Sequence, residues 1–549
     1  MKGVFRMKKY LALLLVFLML FSTLMTGCGG GESDEPAGDD VVQGKYCTVA
    51  GDSDIVLLNY SDVGTLFPPN ATQVAESAVI GLVYQSLVDF NDNMELYWVL
   101  ASGCDVNEEG TEYTFHLREG ISFSDGEPWN AEALKKNIDM ITDDSNGFMN
   151  VSRLQVIESC EVIDEYTAKM TLSSPYAPFL NVLANYGGFV SPALLDKGAE
   201  EWSFQMAGTG PYTMEEYRSG ESISLKLNRE YWGYDPEMCG GEPLWQPNIG
   251  FNTITFKPVS EEATRIAMLQ TGEADIINPV TANNVATVEA SGNIVFTKPG
   301  VSVGYLYFNC QKSPLDDVRV RKAITMAIDV DALNTVVYGG KNIPGDSISA
   351  PTISYYEPQE RYEYNIEAAK ELLKEAGYEG GLTLVAWEEN DTSDIQRGEF
   401  INQQLEKIGI NLEVYPMEGG ILATEVSGYS GKPEDAGWDI YIRGYSASTF
   451  DPDQALGRFQ TSQFMPVGAN YSFYSNPEVD ALCAEGASTI DAAVRERVYK
   501  EVQKIMWEDM PAIPMLVNSY VGACSPKIEG FTFKPSGNFY WNNAYYAAE

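Results

Sequence analysis

The chain has 549 residues, with 78 aspartate and glutamate side chains against 36 lysine and arginine side chains, which gives a formal net charge of −42 at pH 7. A surface this acidic argues against binding to nucleic acid and against electrostatic docking to anionic lipid. The length exceeds what one hydrophobic core usually supports, so we expect two lobes.

The first 27 residues have the pattern of a secretion signal. Residues 1–9 carry four lysine or arginine side chains, and an apolar run of about 16 residues begins at Tyr10. This run is shorter than the roughly 20 residues that cross a bilayer as a helix, but it suits the apolar region of a signal peptide. Either Met1 or Met7 fits as the initiator. We therefore predict that residues 1–27 direct export.

The signal ends in LMTGC (24–28), which resembles the lipobox of bacterial lipoproteins. The resemblance implies cleavage before Cys28 and a diacylglycerol thioether on its sulfur, although Met25 stands where leucine is commonest. Two acyl chains are enough for stable membrane anchoring. Residues 28–45 have too little apolar surface to fold, so we predict a disordered tether. An ordinary signal peptide with an incidental cysteine is the alternative.

Strands and helices alternate along the rest of the chain. Asp317 is a predicted N-cap of one helix that runs to Gly339, and Asn365 is a predicted N-cap of another that stops at Gly377. Apolar and polar residues alternate with the period of a half-buried strand in four segments. These segments are 113–120, 168–172, 222–227 and 253–258. The pattern predicts a mixed α/β chain.

Seven cysteines remain if Cys28 carries lipid, and no two of them have the C-x-x-C spacing of zinc or thioredoxin-like sites. An odd number cannot all pair within one chain, and the sequence leaves any individual disulfide open. They are Cys47, Cys104, Cys160, Cys239, Cys310, Cys483 and Cys524.

The strongest candidate for catalysis is Gly51-Asp52-Ser53, which resembles the nucleophile block of GDS-type esterases. Such a site needs a histidine base further along the chain. The single histidine, His116, lies on the polar face of a predicted strand, and none follows it. We therefore predict a protein that is not an enzyme, without a catalytic residue, bound metal or cofactor.

Seven blocks in a fixed order closely resemble the peptide- and nickel-type solute-binding lipoproteins that serve ABC importers. They cover most of the chain after the tether. The blocks are TEYTFHLREGISFSDGEPWNAEAL (111–134), GTGPYTM (208–214), LNREYWGYDP (227–236), TRIAMLQTGEADII (264–277), YLYFNCQKSPLDDVRVRKAITMAIDVDAL (305–333), YNIEAAKELLKEAGY (364–378) and WDIYIRGYSASTFDPD (438–453).

The resemblance implies the two-lobed α/β fold of type II periplasmic binding proteins, with an additional subdomain inserted in lobe I. In this chain, lobe I would take residues 46–299, with the inserted subdomain at about 85–190. Lobe II would take 300–510, and 511–549 would return to lobe I.

The resemblance also implies a function. The protein would be a monomer on the extracytoplasmic face of the cell membrane, held there by its lipid anchor. It would capture oligopeptides or dipeptides between its lobes and deliver them to the permease subunits of an ABC importer with their ATPases. Alternatives are a nickel or other metal-chelate or small-solute binder, a sensory receptor and a secreted hydrolase.

The family's peptide and nickel branches both contact ligand in the loop that corresponds to RGYSASTFDPD (443–453). Tyr445 and Phe450 would form apolar walls, and polar side chains would orient the ligand. The expected ligand-binding residues are Arg443, Tyr445, Ser446, Ser448, Phe450 and Asp451, with Trp387, Asn390 and Tyr186 expected at the cleft from their positions. Asp451 as a cap of the following helix is the alternative.

The sequence departs from both branches of the family. Peptide binders commonly carry an aspartate where Ser448 stands, to pair with the amino terminus of the peptide. Nickel binders hold a metal chelate with arginines and a histidine, whereas ANYGGF (184–189) has no arginine and His116 is placed in a strand. Neither cargo is therefore settled by the sequence.

Overall fold

The computed structural model describes residues 53–149, 154–246 and 250–547. The predictions for the signal, for Cys28 and for the tether lie outside the described residues. Within the described ranges, no helix is long and apolar enough to cross a membrane.

The described residues form 21 strands, numbered in chain order. They are β1 (Asp54–Asn59), β2 (Val88–Phe90), β3 (Leu96–Trp98), β4 (Ala101–Val106), β5 (Glu112–Leu117), β6 (Ile157–Asp164), β7 (Thr167–Leu172), β8 (Tyr212–Arg218), β9 (Ser222–Leu227), β10 (Thr253–Pro258), β11 (Ile276–Asn278), β12 (Ile294–Phe308), β13 (Ile343–Pro344), β14 (Leu382–Glu389), β15 (Ile410–Met417), β16 (Ile440–Ser446), β17 (Ala512–Cys524), β18 (Ile528–Glu529), β19 (Thr532–Phe533), β20 (Phe539–Tyr540) and β21 (Tyr545–Tyr546). The four strands predicted from alternation are confirmed as β5, β7, β9 and β10.

Sixteen α-helices accompany these strands in the described ranges. They are α1 (Val74–Val83), α2 (Ala131–Thr142), α3 (Phe179–Tyr186), α4 (Pro192–Leu195), α5 (Ala199–Trp202), α6 (Pro236–Cys239), α7 (Glu262–Thr271), α8 (Ala282–Ala290), α9 (Val318–Ala327), α10 (Val330–Tyr338), α11 (Ile366–Glu375), α12 (Thr392–Glu406), α13 (Gly419–Ser427), α14 (Pro452–Leu456), α15 (Pro477–Ala487) and α16 (Ala492–Asp509).

Eleven strands form one mixed sheet in the order β15-β14-β16-β12-β17-β11-β1-β10-β9-β8, with β13 paired to β17. The central strands β12 and β17 are the longest, with 15 and 13 residues, and they pair antiparallel with register shifts after Pro299 and Gly304. The predicted lobe boundary at 299/300 falls inside β12, and the boundary at 510/511 falls just before β17. These boundaries stay predictions.

A separate four-stranded sheet, β4-β5-β7-β6, lies within the range predicted for the inserted subdomain. Its core contains Phe115, Trp129 and Phe179, and residues 524–544 near the end of the chain pack into the same core. Two further cores are built from residues 301–517, and Phe90 joins one of them.

The prediction of one helix between Asp317 and Gly339 is wrong, because the structure has two helices there. Asp317 caps α9 as predicted, since its carboxylate accepts a hydrogen bond from the Arg319 backbone N at 2.8 Å. The helix stops, however, because Ile328 has extended backbone angles and Asp329 caps a second helix, α10. Gly339 ends α10 with a φ of +61°. The predicted cap at Asn365 is confirmed for α11.

The block GTGPYTM fixes the approach of α1 to β8. A Cβ atom at Gly208 would lie 2.0 Å from the carbonyl oxygen of Val83, so this position has room only for glycine. Gly210 donates a hydrogen bond from its backbone N to the same oxygen at 2.9 Å. The end of α1 is therefore held firmly against the main sheet.

The six cysteines within the described ranges are all free thiols. His116 lies on β5, where its Nε2 is 2.8 Å from a carboxylate oxygen of Asp105 on neighbouring β4. Both side chains are exposed. The prediction that His116 lies on the polar face of a strand is confirmed.

Candidate functional site

A cavity of about 840 Å³ brings together segments that are far apart in the chain. Its walls come from α1, from the ends of α3 and β16, from β2 and β3, and from the C-terminal segment around Lys534. Its volume lies within the roughly 300–1,000 Å³ of typical small-molecule sites. Six of the predicted site residues line it: Tyr186, Arg443, Tyr445, Ser446, Ser448 and Phe450.

Strand β16 carries three of these residues, Arg443, Tyr445 and Ser446. It pairs antiparallel with β12, so that Arg443 lies opposite Tyr305 and Tyr445 lies opposite Val303. The strand ends at Ser446, and the chain then turns into a loop before α14. Phe450 in this loop has a φ of +56°, a conformation that bulky residues rarely adopt. Its ring packs edge-on against Phe90, with centroids 5.1 Å apart.

Asp451 is not on the cavity wall. Both of its carboxylate oxygens form a bidentate pair with Arg495, at 2.7 and 2.9 Å, and both side chains are buried. One oxygen also accepts a hydrogen bond from the backbone N of Asp453, which caps α14. The alternative reading of Asp451 as a helix cap is therefore confirmed, and its buried carboxylate is engaged by Arg495 and by the cap of α14.

The structure does not bring Trp387 and Asn390 to the cavity either. Trp387 lies on β14 and packs against Trp438 with ring centroids 4.9 Å apart. Asn390 follows the end of β14 and is exposed. Both residues were expected at the cleft from their positions at the end of a predicted strand. That strand is β14, which lies on the far side of β16 from β12, away from the cavity.

Side-chain amides join α3 to the loop after β16. Asn181 donates from Nδ2 to the carbonyl oxygen of Thr449 at 2.9 Å, and Asn185 donates to the carbonyl oxygen of Ser448 at 2.7 Å. The hydroxyl of Tyr186 lies 3.3 Å from the Ser448 hydroxyl. Sequence reasoning missed both asparagines, because nothing in ANYGGF (184–189) or its surroundings indicates a partner more than 260 residues away.

The ion pair between Asp89 and Lys534 lines the cavity and was also missed. Lys534 donates from Nζ to both carboxylate oxygens of Asp89 at 2.9 Å, and the Tyr97 hydroxyl donates to one of them at 3.3 Å. The pair joins residues 445 positions apart in the chain. No local pattern could have found it.

Glu388 is a buried carboxyl at the end of β14, with 1% of its surface exposed. Its nearest cation is Arg397, 3.5 Å away, and Arg397 makes a closer pair with Asp394 at 2.7 Å. Burial raises the pKa of Glu388 to about 7, which the attraction of Arg397 only partly offsets. Between pH 4.5 and 7 the folded state thus holds this proton more tightly than the unfolded state does.

We expect Glu388→Gln to stabilise the protein above pH 7. The ionised carboxylate costs stability there, and because the folded pKa is the higher one, this cost is small at pH 4.5 and grows as pH rises to 7. The expected gain in the free energy of unfolding at pH 8 is about 2 kcal/mol. Denaturant melts of variant and parent at both pH values measure it. Glu413→Gln, exposed on neighbouring β15, is the control; a loss of stability with Glu388→Gln at both pH values would contradict the expectation.

Comparisons with known proteins agree with the fold. Residues 95–466 match the family model described as "Bacterial extracellular solute-binding proteins, family 5 Middle". The glutathione-binding protein GsiB of Escherichia coli K12 is 35% identical over 496 residues, which cover 89% of this chain and 94% of that protein. The family model covers more than half of the chain, and the likeness to GsiB covers 89% of it.

Two solved structures have the same architecture. HbpA2 from Haemophilus parasuis superposes with a TM-score of 0.80 at 24% identity, covering 90% of this chain and 100% of that one. The periplasmic binding protein DppA from Helicobacter pylori, in complex with the peptide STSA, has a TM-score of 0.68 at 25% identity and covers 90% and 98% of the two chains. The predicted periplasmic-binding-protein-like α/β fold is confirmed.

Proposed function

Because the chain belongs to the bacterial extracellular solute-binding proteins of family 5, we propose that it captures short peptides, including glutathione-like peptides, for an ABC importer. Proteins of this family bind solutes for transport and are not enzymes. In the proposal, the protein is anchored through Cys28 on the extracytoplasmic face of the cell membrane and delivers its ligand to permease subunits. A relative of 35% identity is a glutathione-binding protein, and one solved structure of similar fold holds a peptide.

The observation that carries this proposal is the composition of the cavity wall. Tyr445, Phe450 and Tyr186 offer flat apolar surfaces, and the hydroxyls of Ser446 and Ser448 offer hydrogen bonds beside them. Apolar walls with a few oriented polar groups suit a ligand that alternates side chains and peptide groups.

The amino terminus of such a ligand would not be held in the family's usual way. Ser448 stands where peptide binders commonly carry an aspartate, and Asp451 is committed to Arg495. Among the described residues that line the cavity, Asp89 is the one with a carboxylate, and Lys534 already pairs with it. This favours peptides that are recognised mainly through groups other than their amino terminus.

The contacts between α3 and the loop after β16 suggest how the cavity closes. Asn181 and Asn185 lie in the range assigned to lobe I, and their acceptors lie in the range assigned to lobe II. A ligand that contacts both sides favours the conformation in which these bonds form. In the proposed cycle, this closed form engages the permease.

Native mass spectrometry of the purified protein, produced in rich medium, tests the proposal. We expect short peptides among the species released from the cavity. A single metal-containing small molecule would assign the protein to metal-chelate binding instead, and turnover of bound peptides would favour a hydrolase. Loss of peptide uptake in cells that lack the protein would separate an importer component from a sensory receptor.

A further inference from the structure

The cavity wall is poor in acidic groups although the protein is strongly acidic. About one residue in seven of the chain is aspartate or glutamate, yet Asp89 is the one acid among the cavity-lining residues of the described ranges. Its charge is balanced by Lys534 at 2.9 Å. The remaining charged residue on the wall is Arg443. The lining therefore carries a net positive charge.

Arg443 is held from the side away from the cavity. Its Nη1 donates to the Tyr441 hydroxyl at 3.0 Å, and its Nη2 lies 3.5 Å from a carboxylate oxygen of Glu389. Neither Tyr441 nor Glu389 lines the cavity. A guanidinium has five N–H donors in a planar fork, and the side chain of Arg443 is 29% exposed. These contacts orient the fork and leave N–H groups available to a ligand in the cavity.

A second cation, Arg458, packs against the ring of Tyr445, which lines the cavity. The guanidinium of Arg458 is 4.1 Å from the ring centroid of Tyr445 and 4.1 Å from that of Phe459. Arg458 is 5% exposed, and in the part of the chain that the structure describes its partners are tyrosines and no carboxylate forms an ion pair with it. Buried charge acts over a longer range than charge in water, because the surrounding dielectric constant is low. Arg458 thus adds positive potential at the face of Tyr445.

We propose that the cavity selects peptides of net negative charge, and that the Arg443 guanidinium binds a ligand carboxylate through two parallel N–H donors. Planar bidentate pairing is the geometry in which arginine recognises carboxylates best. The ligand class is a short peptide with more carboxylates than amines, such as one with an acidic side chain or a γ-linked glutamyl residue. This inference rests on the proposed function and names its substrate class.

Isothermal titration calorimetry with two isosteric tripeptides tests the inference. Gly-Glu-Gly and Gly-Gln-Gly have the same shape and differ by one charge. We expect the purified protein to bind Gly-Glu-Gly at least tenfold more tightly than Gly-Gln-Gly, and Arg443→Met to abolish this preference. Arg443→Lys should retain part of the preference, because it keeps the charge but loses the fork.

Arg361→Met is the matched control. Arg361 forms an exposed ion pair with Asp331, so its removal lowers the overall charge by the same amount without touching the cavity, and the preference should persist. Equal affinities for the two tripeptides in the parent protein would overturn the inference, and so would a preference that survives Arg443→Met. Binding of neither tripeptide would instead overturn the proposed peptide function, and the inference with it. Unchanged thermal melts establish that the variants are folded.

Discussion

Replacing Asp451 with asparagine is expected to lower the free energy of unfolding by about 3–5 kcal/mol, because it leaves the buried Arg495 guanidinium without its partner. The side chains of Asp451 and Arg495 are 4% and 7% exposed, and two hydrogen bonds of 2.7 and 2.9 Å join them. Asparagine fits the N-cap position about as well as aspartate does. The substitution thus isolates the loss of the ion pair from the loss of the cap of α14. Urea unfolding of the variant and the parent measures the difference.

Two further variants make this result specific. Asp331→Asn removes one partner of the exposed pair between Asp331 and Arg361, and should cost about 0–1 kcal/mol. Adding Arg495→Met to Asp451→Asn removes the unpaired charge, so the double variant should recover part of the lost stability. An Asp451→Asn variant as stable as the parent would show that the pair does not hold α14 against α16.

Replacing Cys28 with alanine is expected to move nearly all of the protein from the membrane fraction to the medium or the extracytoplasmic space. The thioether and the acyl chains would be attached through the Cys28 sulfur, and a strongly acidic chain has no electrostatic attraction to anionic lipid. Cell fractionation followed by immunoblotting measures the distribution.

Cys47→Ala is the control for this experiment, because it removes another cysteine near the start of the chain and should leave the protein with the membranes. A Cys28→Ala protein that still sediments with membranes would contradict the lipoprotein assignment. Mass spectrometry that finds acyl groups on Cys28, as the first residue of the cleaved parent protein, would support the assignment independently.

Local patterns predicted the elements of the fold wherever local forces decide them. Strand β5 follows from alternation, and Asp317 and Asn365 cap helices because their side chains reach backbone N–H groups two and three residues ahead. The apolar stripe continues past residue 327, which favours a single helix there. The competing cap at Asp329, whose carboxylate accepts from Ala332 N at 2.9 Å, ends that helix instead.

The residues of the site were predictable only where a single segment of the chain contributes them. The resemblance of residues 438–453 to the family identified a loop, and five of its six proposed residues line the cavity. Asp451 was placed in the cavity because it lies in the same loop, and its burial depends on Arg495, 44 residues away. The Asp89 to Lys534 pair depends on the packing of the chain's end against its beginning. Such contacts follow from the tertiary fold and have no signature in a single sequence.

The hydrogen bonds from Asn181 and Asn185 end on backbone carbonyls, of Thr449 and Ser448 respectively. Every amino acid supplies this acceptor, so exchanging the side chains at positions 448 and 449 leaves the two bonds intact. In the proposed cycle, the loop that faces the ligand can consequently accumulate substitutions while the two bonds that close the cavity are preserved. A gene duplicate could in this way acquire a new ligand through a few changes in one loop and still retain the proposed closing movement.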